Sequence, residues 1–385
     1  MAVGIVAEFN PFHNGHKYLL ETVKSKTNEC VAVIMSGAFI QRGGIAITDK
    51  LTRTRFALNN GADLVLELPV PFSHNTAQRF AMGAIGTLKG CGIIDTIAFG
   101  SECADITKLK TAAEILAYET PEVSLKIKEL MSKGVPYPVA RQEAYGGLFD
   151  TSLLSTPNDI LAIEYLRASI VLDAGFNALA IERTGVGHDS DITDKNIASA
   201  TEIRRRIMAK SDFKEFMPYH DFDVYDPSRL DTAIISKLRL TTPAELSNIS
   251  EVAEGLENKF IDVARNVSTV EELCTAVKSK RYTLSRIRRI AYSSLINLTK
   301  DISDMSPTYI RVLGANDNGR ILLRDMKEKA TLPIITKPAD YKGDVIFNIN
   351  SQAEDIFSLA SLNPSKRRAG NDIRLTPLMT ERSRI

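Results

Sequence analysis

Short apolar runs alternate with helical spacing along the first half of the chain. The runs are continuous, which is typical of strands buried on both faces of a parallel sheet. They cover Val3–Phe9, Cys30–Met35, Asp63–Leu68, Thr96–Gly100 and Ala178–Glu182. Helical segments separate them, so the pattern predicts a βαβ series with right-handed crossovers. A ligand is then expected at the carboxyl ends of the strands.

Capping residues predict where two of the helices begin. Thr48 is expected to cap a helix that ends at Gly61. Lys50 and Arg53 lie on one face of this helix, where a solvated surface is expected unless they bind an anion. Thr156 is expected to cap a later helix, with a capping-box carboxylate three residues on.

The second half of the chain is mostly helical by periodicity. Helices are predicted over residues 242–255, 256–267, 270–277 and 285–298, followed by extended runs at 332–336 and 344–348. Pro218 and Pro227 flank a polar stretch that favours a domain boundary. We therefore expect an α/β domain over residues 1–215, with a parallel sheet, and a mainly helical domain over residues 216–385.

The amino-acid composition limits the kinds of binding site and the cellular compartment that are expected for this protein. The formal net charge is +1, so a nucleic-acid site has to be a local basic patch. Four scattered cysteines indicate reduced thiols in a cytoplasmic protein, and no apolar run is long enough to span a membrane. The histidines are not spaced as metal ligands, so no protein-bound metal is expected.

A pair of histidines follows the first predicted strand. His13 and His16 fall on one face of the opening turn of a helix, with Gly15 between them. Glycine lets a ligand approach the backbone, and the free N–H groups of a helix start attract anions. The pattern predicts a phosphate-binding turn in which the two imidazoles act as the catalytic donors of a nucleotide-handling enzyme.

A second phosphate-binding element is predicted at the start of a later helix. Ser199, Thr201 and Arg204 bring two hydroxyl groups and a guanidinium to one helix N-terminus. Taken alone, this pattern favours a capped helix with an exposed basic turn; together with the histidine turn it favours a phosphate site. Three single residues at strand or helix ends are further candidates for contacts with a nucleotide, namely Gly100, Asn158 and Arg183.

A basic cluster lies in the predicted helical domain. Apolar residues at helical spacing are expected to face inward and to leave the arginines outward, around Tyr282. Cations with an interleaved aromatic ring suit RNA, although a solvated charged face remains the alternative. The cluster comprises Lys280, Arg281, Arg286, Arg288 and Arg289.

Several stretches together resemble the bacterial tRNA(Met) cytidine acetate ligase family, a branch of the HIGH-type nucleotidyltransferases. The most specific is the run of residues 4–16, which contains Asn-Pro-Phe-His-Asn-Gly-His. The others are residues 35–37, 41–43, 61–69, 99–102, 157–161, 199–204 and 280–287. The resemblance covers nearly the whole chain. It implies a Rossmann-like nucleotidyltransferase domain followed by a domain that binds tRNA.

The resemblance also implies a two-step reaction. ATP and acetate give acetyl-adenylate, whose acetyl group passes to the wobble cytidine of elongator tRNA(Met), with Mg²⁺ on the triphosphate. The alternative is a small-molecule nucleotidyltransferase of the same fold. The ATP-binding segment of the family falls on Val6, Ala7, Glu8, Phe9, Asn10, Pro11, Phe12, His13, Asn14, Gly15, His16, Lys17, Tyr18 and Leu19, and its single contacts fall on Gly100, Asn158 and Arg183.

Overall fold

The computed structural model describes residues 1–183, 196–253, 255–279 and 282–381. The strands are β1 (Ala2–Ala7), β2 (Cys30–Ser36), β3 (Leu64–Leu68), β4 (Ile94–Ser101), β5 (Asn177–Glu182), β6 (Ile310–Ala315), β7 (Ile334–Ile335) and β8 (Leu378–Met379). The helices of the first half are α1 (Asn14–Thr27), α2 (Lys50–Asn59), α3 (Val70–Ser73), α4 (Ala77–Gly90), α5 (Ile106–Ala117), α6 (Pro121–Ser132), α7 (Tyr137–Ala144), α8 (Pro157–Val171) and α9 (Ala200–Met208).

The remaining helices follow in the second half. They are α10 (Asp231–Leu240), α11 (Pro243–Ser247), α12 (Leu256–Ala264), α13 (Val270–Val277), α14 (Leu284–Ile296), α15 (Lys300–Ser303), α16 (Asp317–Lys329), α17 (Val345–Ser358) and α18 (Asn371–Arg374). The predicted extended run at 344–348 is wrong, because Asp344 caps α17 by accepting the N–H of Phe347 at 2.9 Å. Only Pro243–Ser247 forms a helix within the predicted segment 242–255.

One sheet runs through both halves of the chain. Its order is β5-β4-β1-β2-β3-β6-β7, with β8 beside β6. The first five strands are parallel, as predicted, and carry the register Val3↔Val31 between β1 and β2. The antiparallel strand β6 next to β3 was not predicted. The chain therefore returns from the helical region to the sheet, and the division at residue 215 stays a prediction.

The two faces of the sheet carry different helices. Successive strand residues point to opposite faces, so Val3 and Ile5 pack with Leu20 of α1 in one apolar cluster. On the other face, α4 and α8 pack against the sheet through residues such as Ile85 and Ala162. The site described below lies where the strand ends separate these two layers.

A buried ion cluster joins the two halves of the chain. Asp49, not Thr48, caps α2, and this places Lys50 in the interior instead of on the expected solvated face. The Lys50 ammonium lies 2.7 Å from Glu67 and 2.6 Å from Asp372. Burial alone would lower the pKa of Lys50, but the surrounding carboxylates raise it. The charged form is therefore held in the interior by its partners.

Candidate functional site

A cleft of about 370 Å³ opens at the carboxyl ends of β1 and β4. This is the edge of the sheet where a ligand was expected. The predicted nucleotide-binding residues that line the cleft are Val6, Ala7, Glu8, Phe9, Asn10, His13, Gly15, His16, Tyr18, Leu19, Gly100, Asn158, Arg183, Ser199 and Arg204. The two predicted phosphate elements, nearly two hundred residues apart in sequence, therefore meet in one cavity.

The two histidines form the N-terminal cap of α1. His13 Nδ1 accepts the N–H of Gly15 at 3.1 Å, and His16 Nδ1 accepts the N–H of His13 at 3.3 Å. The rings stack with centroids 3.7 Å apart. A nitrogen that accepts a hydrogen bond carries no proton, so each neutral ring has its proton on Nε2. The cap thus sets the tautomer of both side chains and provides two N–H donors.

Gly15 is required by the packing of this turn. A Cβ atom at this position would lie 3.0 Å from the His13 ring. A larger residue would therefore force a small shift of the His13 ring, which caps the helix. The glycine therefore supports the histidine pair directly, besides opening the backbone to a ligand.

Glu8 lies deep in the cleft between the nucleotide-binding residues and the loop after β2. Its Oε1 accepts the N–H of Gln41 at 2.7 Å. Burial raises the pKa of the Glu8 carboxyl, although this hydrogen bond and the nearby guanidinium groups of Arg204 and Arg42 oppose the shift. Burial therefore favours the protonated carboxyl, and the hydrogen bond and the guanidinium groups favour the carboxylate.

Arg53 holds the strand ends below the cleft. Its guanidinium is fully buried and donates to the carbonyl groups of Glu8, Ser36 and Gly37 at 2.8, 2.7 and 2.6 Å. The expectation of a solvated side chain is therefore wrong. Backbone carbonyls at strand ends lack sheet partners, and a buried guanidinium satisfies several of them at once.

The opposite end of the cleft is built around the start of α8. The carboxylate of Glu102 accepts the side-chain amide of Asn158 at 2.6 Å and the N–H of Asp159 at 3.0 Å. Glu102 thus supplies the side-chain cap that was predicted for Thr156, whose side chain makes no capping bond. Asn158 is held in a fixed orientation at the cleft, close to Gly100 and Arg183.

The second phosphate element reaches the cleft through Ser199 and Arg204. Ser199 caps α9 by accepting the N–H of Glu202 at 3.1 Å. Arg204 donates to the carbonyl of Asn10 at 2.7 Å and to the hydroxyl of Thr201 at 3.1 Å. These contacts fix the guanidinium beside the histidine turn, so a single anion could contact both elements.

Five of the predicted residues lie outside the lining of the cleft. They are Pro11, Phe12, Asn14, Lys17 and Thr201. Phe12 is fully buried in the core. The amide of Asn14 donates to the carbonyl groups of Asn196 and Glu215 at 2.8 and 2.9 Å, so this side chain joins α1 to the chain beyond residue 195.

The cleft has a second wall that the sequence did not indicate. Phe80 on α4, Phe99 on β4 and Tyr165 on α8 line it together with Ala77 and Ile40. In the sequence these positions have the spacing of ordinary core residues, and all three rings are indeed almost entirely buried. Only the packing of α4 against α8 shows that one side of this core faces the cleft.

The basic cluster is only partly exposed. Lys280 and Arg281 lie outside the described residues. Arg289 is 6% exposed, so the expectation that it points outward is wrong. It makes a two-pronged contact with the Glu251 carboxylate, at 2.5 and 2.8 Å. A charge that is buried to this extent needs an ion-pair partner, and the Glu251 carboxylate provides it.

Arg286 and Arg288 lie nearer the surface. The guanidinium of Arg286 lies 4.9 Å from the centre of the Tyr282 ring and donates to the carbonyl of Glu251. Arg288 pairs with the exposed Glu271 at 2.6 Å. Exposed pairs of this kind are weak and exchange readily for other anions.

Within the residues that the structure describes, no group of three or more histidine, cysteine, aspartate or glutamate side chains could hold a metal ion. None of the helices in this part of the chain is long and apolar enough to cross a membrane.

Comparison with known proteins agrees with the geometry of the cleft. The profile of the HIGH Nucleotidyl Transferase family matches residues 1–372. The tRNA(Met) cytidine acetate ligase of Clostridium perfringens is 35% identical, over 98% of each chain. The ligase of the same name from Thermoanaerobacter sp. is 39% identical, over 94% of this chain and 96% of its own.

Solved structures agree as well. Crystal structures of Thermotoga maritima TmcAL, without ligand and bound to alpha-thio ATP, superpose with TM-scores of 0.91 and 0.90. Each is 29% identical and covers 99% of both chains. The chain therefore belongs to the HIGH nucleotidyltransferase family and, within it, to the tRNA(Met) cytidine acetate ligases.

Proposed function

We propose that the protein activates acetate with ATP and transfers the acetyl group to the wobble cytidine of elongator tRNA(Met), giving N4-acetylcytidine. The observation that carries this proposal is the stacked pair of His13 and His16, which caps α1 inside the cleft. Full-length similarity to ligases of that name supports the choice of acetate and tRNA as substrates.

In the first step, a carboxylate oxygen of acetate attacks the α-phosphorus of ATP. A new P–O bond forms while the bond to the β-phosphate breaks, and pyrophosphate leaves. The Nε2–H groups of His13 and His16 donate to phosphate oxygens as negative charge develops on them. Their rings are already held by the capping bonds, so little reorganisation is needed. Arg204 adds a fixed positive charge beside them.

The nucleoside end of ATP is assigned to the opposite end of the cleft. Asn158 and Arg183 lie there as hydrogen-bond donors, and Gly100 lets a flat base approach the strand. Glu102 holds the Asn158 amide in place. The remaining predicted contacts of the ATP segment act through the backbone of the turn or support its shape.

In the second step, the exocyclic amine of cytidine attacks the carbonyl carbon of acetyl-adenylate. A C–N bond forms, the C–O bond to AMP breaks, and the amine loses a proton. We propose that the basic cluster around α14 binds the tRNA backbone, with Arg286 and Arg288 as the described members that lie nearer the surface. Acetyl-adenylate hydrolyses readily, so docking of tRNA should coincide with exclusion of water.

We propose that Mg²⁺ enters as part of the ATP substrate complex and shields the charge of the triphosphate. Among the described residues, no group of three or more histidine, cysteine, aspartate or glutamate side chains could hold the ion. We further propose that the enzyme works in the cytoplasm, where its tRNA substrate would be found. The domain boundary near residue 215 is part of the same proposal, with catalysis assigned to the first part and tRNA binding to the second.

The proposal is tested by two measurements. Purified protein should exchange labelled pyrophosphate into ATP only when acetate is present. Mass spectrometry of tRNA from a deletion strain should show loss of N4-acetylcytidine, and complementation should restore it. Exchange with a phosphorylated metabolite in place of acetate, without any effect on tRNA, would instead favour a small-molecule nucleotidyltransferase.

A further inference from the structure

The cleft contains an aromatic recess, which we define by Phe80, Phe99 and Tyr165. The three side chains are 2%, 5% and 5% exposed. The centroid of the Tyr165 ring lies 6.5 Å from that of Phe80 and 6.2 Å from that of Phe99. All three line the cleft, so the recess is an apolar extension of the same cavity that holds the histidine pair.

The aromatic recess lies on the opposite face of the sheet from the histidines. Phe80 and Tyr165 belong to the apolar cluster of α4 and α8, whereas α1 packs on the other face. The cleft passes between the two layers over the end of β1, where Glu8 lies. The recess is therefore separated from the histidine turn by the end of β1.

The aromatic recess has one polar group, the Tyr165 hydroxyl, that is able to donate to a ligand oxygen. Among the described residues, the Tyr165 hydroxyl makes no hydrogen bond, although the residue is almost entirely buried. Burial and the nearby Glu8 carboxylate both raise the pKa of Tyr165, so the hydroxyl keeps its proton and can donate. Because Tyr165 lines the cleft, an oxygen atom of a bound ligand is able to accept this hydrogen bond.

We propose that the aromatic recess is the acyl pocket of the enzyme. It takes the methyl end of a two-carbon carboxylate against Phe80, while the Tyr165 hydroxyl donates to a carboxylate oxygen. This assignment rests on the function proposed above and identifies where its second substrate binds. The carboxylate then faces the nucleotide across the end of β1, where the guanidinium groups of Arg42 and Arg204 lie close to Glu8.

The size of the cavity limits the acyl chain. The whole cleft holds about 370 Å³, near the lower end of the range of about 300–1,000 Å³ for small-molecule sites. The recess ends in the packed rings of Phe80 and Tyr165, which limits the room for a longer acyl chain. One surplus methylene in such a pocket lowers kcat/KM by roughly tenfold to two hundredfold. Acetate should therefore be strongly preferred over propionate and butyrate.

The test measures pyrophosphate exchange with acetate, propionate and butyrate at saturating ATP. Phe80→Ala should shift the butyrate-to-acetate ratio of kcat/KM by at least about tenfold toward butyrate. Tyr165→Phe keeps the ring and should raise the KM for acetate by about threefold to tenfold. Phe72→Ala is the matched control, because Phe72 is equally buried in the same core without lining the cleft.

Each outcome decides between the assignments. An unchanged ratio in folded Phe80→Ala, or the same shift in Phe72→Ala, overturns the acyl pocket. If thermal unfolding shows that Phe80→Ala does not fold, Tyr165→Phe decides, and an unchanged KM for acetate overturns the pocket. Absence of acetate-dependent exchange in the wild-type protein overturns the proposed function itself, which separates the two failures.

Discussion

Arg289 donates a hydrogen bond of 2.9 Å to the carbonyl of Gln41. The N–H of the same Gln41 binds Glu8 in the cleft. Two hydrogen bonds therefore connect α14, in the predicted tRNA-binding region, to the cavity assigned to ATP and acetate. Arg289 is held in turn by Glu251. This arrangement makes Arg289 a positioning residue for the loop that borders the active site.

Arg289→Ala should therefore reduce both stability and adenylation. Glu251 would be left as a largely buried, unpaired carboxylate, which typically costs about 3–5 kcal/mol. Gln41 would lose the hydrogen bond to its carbonyl, so Glu8 should be less well positioned and the kcat of exchange should fall. Urea denaturation and acetate-dependent pyrophosphate exchange check the two effects.

The double variant Arg289→Ala with Glu251→Ala separates these effects. Removing both charges should recover part of the stability, because no unpaired charge remains. The kcat should stay low, because the carbonyl of Gln41 still lacks its donor. Full recovery of activity together with stability would show that Arg289 has only a structural role.

His16→Ala should abolish adenylation and leave the fold intact. Loss of one preorganised donor to a developing oxyanion typically lowers kcat by about 10²–10³-fold. The side chain is only half buried, so thermal unfolding should change little. Glu21→Gln, an exposed change on the same helix, is the matched control. Equal exchange rates in the two variants would contradict the role of the histidine.

Glu354 should make the stability depend on pH. Burial, together with the neighbouring Asp372 and Glu67 carboxylates, raises its pKa from 4.5 to about 7 against the attraction of Lys50. Between pH 4.5 and about 7, Glu354 is protonated in the folded state and has lost its proton in the unfolded state. The contribution of Glu354 to the free energy of unfolding is therefore fully present at low pH and is lost as the pH rises through about 7.

Glu354→Gln removes this titration. The variant should be more stable than the wild-type protein by about 1–3 kcal/mol above pH 8, and the difference should shrink toward pH 5. Thermal unfolding of both proteins across this range checks the prediction. A difference that is constant with pH would show that Glu354 does not titrate in the buried cluster.

Replacing Arg281, Arg286 and Arg288 together by alanine should impair acetyl transfer but spare acetyl-adenylate formation. Each lost phosphate contact weakens tRNA binding. It also reduces by about 1 the slope of the logarithm of the tRNA-binding constant against the logarithm of the salt concentration. Filter binding at several salt concentrations and tRNA acetylation assays check the two effects. Normal acetylation by the triple variant would show that the cluster is only a solvated surface.

The first half of the fold could be predicted because its local signals are strong. Five apolar runs give five parallel strands, and the His13–His16 turn lies where strand and helix patterns meet. The residues of this turn interact within three positions of one another, so their geometry follows from neighbours in the sequence.

The features that were missed depend on contacts between distant segments. Strand β6 is specified by its place beside β3, about 250 residues earlier, which local periodicity does not reveal. Lys50 and Arg289 look like surface cations in the sequence, and only Glu67 and Glu251 explain their burial. Phe80 and Tyr165 have the pattern of core residues, which they are, but they also line the cleft.

The central claim is tested most directly with isotope-labelled acetate. Purified protein is incubated with carbon-13 acetate, ATP and elongator tRNA(Met), and the digested nucleosides are analysed by mass spectrometry. The account predicts labelled N4-acetylcytidine that requires ATP and disappears with His16→Ala. Unlabelled cytidine in the complete reaction, or labelling that persists without ATP or in His16→Ala, would contradict it.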